Sequence, residues 1–178
     1  PGDEVIVSAH TWHLQVSQIL ALHGLPVFCD INPKDATIDP EEIEKKITPR
    51  TRAIAILHPY GAVAPMDEIM EVARKHKLPV IEDCSHAHGA MYKGKHVGTL
   101  GKVGCWSLQG SKSVSAGEGG VVATDDIDVF ERACILGQVN RLGGVDLAGE
   151  DTDGQLLAHL KSDIRRLNAA GPDFDLAV

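Results

Sequence analysis

Lys112 stands in the polar stretch Trp106-Ser107-Leu108-Gln109-Gly110-Ser111-Lys112-Ser113, just ahead of Gly117-Glu118-Gly119-Gly120. Upstream, the apolar run Val80-Ile81-Glu82 ends at Asp83 and continues as Cys84-Ser85-His86-Ala87-His88-Gly89. A lysine amine condenses with an aldehyde to a Schiff base. An aspartate at a strand end can hold a pyridine nitrogen protonated, so that the ring acts as an electron sink. Together, in this order, the two groups are what a pyridoxal-phosphate enzyme needs.

Each residue alone has a plainer explanation. A lysine in a Ser/Gly loop is most often a solvated surface group. An aspartate after an apolar strand is often a turn residue or cap. The loop is not a triphosphate-binding P-loop, because Ser111 separates Gly110 from Lys112 and no glycine stands five places before Gly110. Cys84, His58, His86 and His88 are metal-ligand types, and a metal hydrolase on the three histidines is conceivable. Their spacing supplies no complete set, so structural histidines are the better reading. Trp12, in Ser8-Ala9-His10-Thr11-Trp12, is either a core residue at helical spacing or an apolar face for a flat aromatic ligand.

The elements that must position these groups alternate. Strands are expected at Glu4–Ser8, Pro26–Asp30, Arg52–Leu57, Pro79–Glu82, Val103–Leu108 and Gly120–Ala123. Helices are expected at Trp12–His23, stopped by Gly24, from Asp39-Pro40-Glu41-Glu42, at Met66–His76, and at Asp126–Leu136. Tyr92-Lys93-Gly94-Lys95 has the look of a hairpin turn. The strands are short and continuously apolar, as in a sheet covered on both faces. The alternation predicts an α/β fold, three-layer α/β/α with a mostly parallel sheet. Ligands of such sheets lie beyond the carboxyl ends of the strands. Ser8, His58, Asp83 and Gln109 all fall at or just past strand ends. Residues 137–178 read as an acidic glycine-rich linker, one helix over Gln155–Leu167 and a tail.

Composition narrows the classes. The chain has 178 residues, 43% hydrophobic, with a net charge of −8. An acidic chain argues against a nucleic-acid surface and a polybasic membrane anchor. No apolar run approaches the ~20 residues that span a bilayer. The four cysteines, Cys29, Cys84, Cys105 and Cys134, form no CxxC pair and read as buried free thiols in a reducing cytoplasm.

From Pro1 to about Leu136 the chain resembles the DegT/DnrJ/EryC1/StrS family of sugar aminotransferases, pyridoxal-phosphate enzymes of fold type I. The resemblance rests on PGDEVIV at 1–7, ITPRTRAI at 47–54, HPYG at 58–61, LPVIEDCSHAHGA at 78–90, YKGKHVGTLG at 92–101 and WSLQGSKSVSAGEGGVVATDD at 106–126. It implies that Lys112 carries the Schiff base, that Asp83 partners the pyridine nitrogen and that Trp12 stacks on the ring. It further implies that Ser107 contacts the cofactor phosphate and that His86 lies near the ring hydroxyl. Histidine at 86 is similar to members acting on cyclitols or making aminohydroxybenzoate, and the Gln109 and Ser111 context resembles the cyclitol branch. A lysine at 112, where some relatives carry histidine and dehydrate sugars, keeps the amine that transamination needs.

The resemblance also implies a large cofactor domain over 1–136, a divergent ending over 137–178, and a homodimer with its site at the interface. The expected substrates are a keto-sugar or keto-cyclitol, with glutamate or glutamine as amino donor. Family members are longer than this chain. The expectation is therefore a truncated member that lacks the family's phosphate-binding turn before Pro1 and its smaller C-terminal domain. Its alternative is a catalytically silent module that only binds a partner or the cofactor.

Overall fold

The computed structural model describes residues 1–134. The linker, helix and tail read over 137–178 lie outside the described residues. The chain divides into two units, Pro1–Asp126 and Ile127–Val178. The first holds a six-stranded sheet in the order β2-β1-β3-β4-β7-β8. Its strands are β1 Glu4–Ser8, β2 Leu25–Cys29, β3 Thr51–Leu57, β4 Val80–Asp83, β7 Val103–Ser107 and β8 Gly120–Ala123. β5 (Met91–Tyr92) and β6 (Lys95–His96) form the separate hairpin that Lys93-Gly94 was expected to turn.

β1, β2, β3, β4 and β7 pair in parallel. β8 runs antiparallel to β7, because the chain returns through loop 108–119 instead of a crossover helix. The sheet is mostly parallel, as expected, with one reversed edge strand.

Helix α1 is His13–Ala21, α2 Pro40–Lys46 and α3 Met66–His76. Asp39 caps α2: its Oδ1 accepts the Glu41 N–H at 2.9 Å, and Pro40 opens the helix. Asp67 and Glu68 sit at the amino end of α3, and Arg74, Lys75 and His76 at its carboxyl end, each suiting the helix dipole. α1 is shorter than its expected span. Leu22 and His23 make its closing turn, with His23 left-handed and the Gly24 N–H on Ile19 O at 2.9 Å. In the second unit, α4 runs Ile127–Cys134 within the described residues.

Strand alternation sorts the side chains. Ile6, Ile54, Ile56 and Val80 point to one face and are fully buried with Ile38, Ile43, Met66, Ile69 and Ala73. Val7, Ala55 and Leu57 line the other face with Asp83, the register partner of Leu57. β1 and β3 are buried on both faces, as their apolar runs require. The outer strands keep exposure at Leu25, Phe28, Val121 and Val122. All four cysteines are free. Cys29 and Cys84 are buried, and Cys105 and Cys134 half-buried. Burial first, then the Glu42 and Asp39 charges, pushes the Cys29 thiol up to about 12, so it is inert as a nucleophile.

Candidate active site at the carboxyl edge of the sheet

Because β1, β3, β4 and β7 are parallel, their carboxyl ends share one edge. Ser8 ends β1, His58 follows β3, Asp83 ends β4, and Ser107 ends β7. The edge expected from the sequence is therefore assembled, and loop Leu108–Gly119 leaves from it carrying Lys112.

Asp83 is half-buried and held at two points. Its Oδ1 accepts the Ser85 N–H at 3.0 Å, and its backbone oxygen accepts the His58 N–H at 3.0 Å. Its other carboxyl oxygen accepts no hydrogen bond among the described residues. Ser107 is held by its backbone. Its N–H donates to Ser85 Oγ at 3.1 Å, and its carbonyl accepts from His88 Nε2 at 2.8 Å, which places the His88 proton on that nitrogen. The Ser107 hydroxyl in turn accepts the Gln109 N–H at 3.3 Å. Gln109 then closes the loop: its side chain accepts the Ser111 N–H, and its carbonyl accepts the Lys112 N–H, both at 2.9 Å. Lys112 is thus set one turn beyond Ser107, half-buried, with no ion pair to its ammonium among the described residues.

His86 links the groups electrically. Burial holds its imidazole below the usual histidine range. The Lys112 charge lowers it further, His10 and His88 act the same way, and Asp83 opposes them. Tyr60, in the left-handed region at φ 49° and 80% exposed, stacks on His86 at 5.0 Å between centroids and 16° between planes. His10 lies 6.1 Å from the Tyr60 ring. Trp12 precedes α1 and is 59% exposed, so it is not a core residue; it tilts against His13 at 4.8 Å.

The three histidines do not form one metal-ligand set among the described residues. Among the described residues, the one ligand-type group of three within 4.8 Å is His58, Glu82 and Cys84, all buried. His58 Nδ1 accepts the Ala64 N–H, its Nε2 faces Glu82, and Glu82 accepts three backbone N–H groups. The His58 ring and the Glu82 carboxylate are thus committed to partners within the protein, which leaves only the Cys84 sulfur. His86 and His88 do not join the group.

The donor set suits pyridoxal phosphate. Among the described residues, Lys112 offers an amine without an ion pair, Asp83 a carboxyl oxygen that accepts no hydrogen bond, and Trp12 an exposed aromatic face. His86 and His88 each keep a buried Nδ1 without a partner. Sequence reading missed Tyr60 and Ser85 as parts of the site, and it missed the grip of His88 on Ser107. Their bonds join segments far apart in the chain.

These features define the large domain of a fold-type-I pyridoxal-phosphate transferase. Residues 1–152 match the model of the DegT/DnrJ/EryC1/StrS aminotransferase family, and the chain belongs to that family. It is 48% identical over 132 residues to the L-glutamine:scyllo-inosose aminotransferase of Streptomyces griseus, covering 74% of this chain and 31% of the relative. It is 40% identical over 178 residues to the L-glutamine:2-deoxy-scyllo-inosose aminotransferase of Streptomyces paromomycinus, covering 99% and 41%. The aminotransferase from Psychrobacter cryohalolentis superposes with a TM-score of 0.71 at 42% identity, covering 74% of this chain and 33% of that one. The chain thus spans about a third to two fifths of the curated relatives' length.

The electrostatic link can be read by titrating His86 in NMR. Lys112→Ala should raise the His86 pKa, because the charge that depresses it most is gone. Asp83→Asn should lower it, because the opposing carboxylate is gone. Shifts of the same sign in both variants would refute the arrangement.

Proposed function

We propose that this chain supplies the cofactor-binding part of an aminotransferase that transfers the amino group of L-glutamine to a keto-cyclitol. The convergence of Lys112, Asp83 and His86 at one sheet edge carries the reading, supported by the glutamine:cyclitol relatives. When bound, pyridoxal 5'-phosphate supplies an aldehyde for covalent attachment and a ring that withdraws electrons. Lys112 is the attachment point. With its amine freed, Nζ would move a proton from the donor α-carbon to the cofactor carbon in the first half-reaction, and in the opposite direction, from cofactor carbon to product carbon, in the second. Asp83 would keep a positive charge on the ring nitrogen, a reading supported by its carboxyl oxygen that accepts no hydrogen bond among the described residues. Trp12 lays its indole on the ring, Ser107 binds phosphate, and His86 approaches the ring hydroxyl as a neutral imidazole. Residues 1–136 act as the cofactor domain and 137–178 as a separate ending, in a cytoplasmic homodimer. No helix among the described residues is long and apolar enough to cross a membrane.

The test is amination of scyllo-inosose and 2-deoxy-scyllo-inosose by the protein carrying this chain, with glutamine and glutamate compared and product followed by mass spectrometry. Glutamine-dependent formation of the aminocyclitol is the expected result. Amination of nucleotide-linked keto-sugars alone would move the substrate class. Cofactor binding with no turnover would establish the silent module instead.

A further inference from the structure

Glu82 is a fully buried carboxylate that the proposed reaction does not use. It accepts from His58 Nε2 at 3.2 Å and from three backbone N–H groups of one loop: Gly98 at 2.7 Å, Leu100 at 2.8 Å and Gly101 at 2.5 Å. The His58 Nδ1 accepts the Ala64 N–H at 3.1 Å, so the proton sits on Nε2 and the histidine donates as a neutral ring. Four donors on two oxygens define a cradle for an ionised carboxylate. Burial alone would raise its pKa, but the His58 and loop donors outweigh it and hold the group below the usual range.

The loop is shaped for this purpose. Gly98 has φ +85°, and a Cβ there would lie 2.2 Å from the Trp106 ring. A Cβ at Gly101 would meet Val80 O at 2.7 Å. Only glycine lets these two N–H groups reach Glu82. His58 grips β4 twice, Glu82 through its ring and the Asp83 carbonyl through its backbone N–H.

We propose that Glu82 is a positioning residue whose carboxylate locks loop 98–101 and His58 onto β4 and thereby fixes where the Asp83 carboxylate points. The inference rests on the reading of Asp83 as the ring-nitrogen partner. β4 has four residues, and Asp83 is its last. The Asp83 backbone pairs with Leu57 and Cys105, while among the described residues its side chain is tied only by the Ser85 N–H, so the direction of the carboxylate follows the backbone that Glu82 and His58 help to hold. In Glu82→Gln the amide NH2 would face backbone donors and the cradle would open. In His58→Asn the amide oxygen can still accept the Ala64 N–H while the donor to Glu82 is lost.

The experiment is amide hydrogen exchange of the whole chain in both variants, with the Asp83 carboxyl carbon shift read by NMR. In Glu82→Gln, the amides of Gly98, Leu100 and Gly101, and also those of His58 and Ser85, should exchange roughly tenfold faster or more, while Ile6 and Val27 keep their protection. The Asp83 carboxyl shift should move with them. In His58→Asn, Ser85 should lose protection and the Asp83 shift should move. Faster exchange at 98–101 with Ser85 and the Asp83 shift unchanged would overturn the proposal, making Glu82 a loop anchor only. Unchanged exchange at 98–101 would overturn it too. If Glu82→Gln unfolds the chain, His58→Asn decides by the same two readouts. Whether the wild-type chain takes pyridoxal phosphate at Lys112 is scored separately, so failure of the functional reading cannot be mistaken for failure of the lock.

Discussion

Lys112→Ala abolishes covalent attachment of pyridoxal phosphate and lowers turnover by at least about 10⁴-fold, the upper range for a positioned proton-transfer group. The loss should exceed that range, since in the proposed reaction one amine would serve as both attachment point and base. The fold is expected to survive. The Lys112 backbone N–H, which closes the turn on Gln109, is kept, and its ammonium holds no ion pair among the described residues. Lys112→Arg separates charge from nucleophilicity. A guanidinium stays protonated and cannot attach, so it should keep His86 depressed while leaving the protein as inactive as alanine does. Single-turnover kinetics with glutamine, beside the His86 titration, check both statements. An arginine variant with wild-type turnover would remove Lys112 from the chemistry.

Asp83→Asn lowers turnover by about 10²–10³-fold, the usual effect of removing one preorganised electrostatic partner. Asparagine is the informative choice because its side-chain oxygen can still accept the Ser85 N–H that Asp83 holds at 3.0 Å. The local turn is kept and only the negative charge is lost. The effect should fall on kcat more than on KM, because the charge matters most when electrons flow into the ring. Equal losses from Asp83→Asn and Ser85→Pro, which removes the turn's N–H, would show that Asp83 acts as a turn residue.

Much of this was legible because the periodicities are strong. β1, α3 and the Lys93-Gly94 hairpin stand where the sequence puts them. Ser8, His58 and Asp83 could be placed at one edge, since parallel strands bring their carboxyl ends together. Trp12 was not decidable, because helical spacing suits a buried indole as well as an exposed one; tertiary packing leaves it open to solvent. The direction of β8 was hidden, because loop 108–119 carries no signal that separates a return from a crossover. Glu82 escaped for a different reason. Its neighbours Val80 and Ile81 read as a strand, and its donors at Gly98, Leu100 and Gly101 come from beyond a hairpin. The available signal was a carboxylate inside an apolar run, which a buried site tolerates only with donors around it.

In the proposed enzyme, Lys112 is the group that holds the cofactor. Borohydride reduction of the protein after incubation with pyridoxal phosphate, followed by peptide mapping, tests it directly. The expected result is one dominant labelled peptide containing Lys112, absent from Lys112→Ala. Label spread over the other lysines, at the same level in wild type and variant, would contradict it.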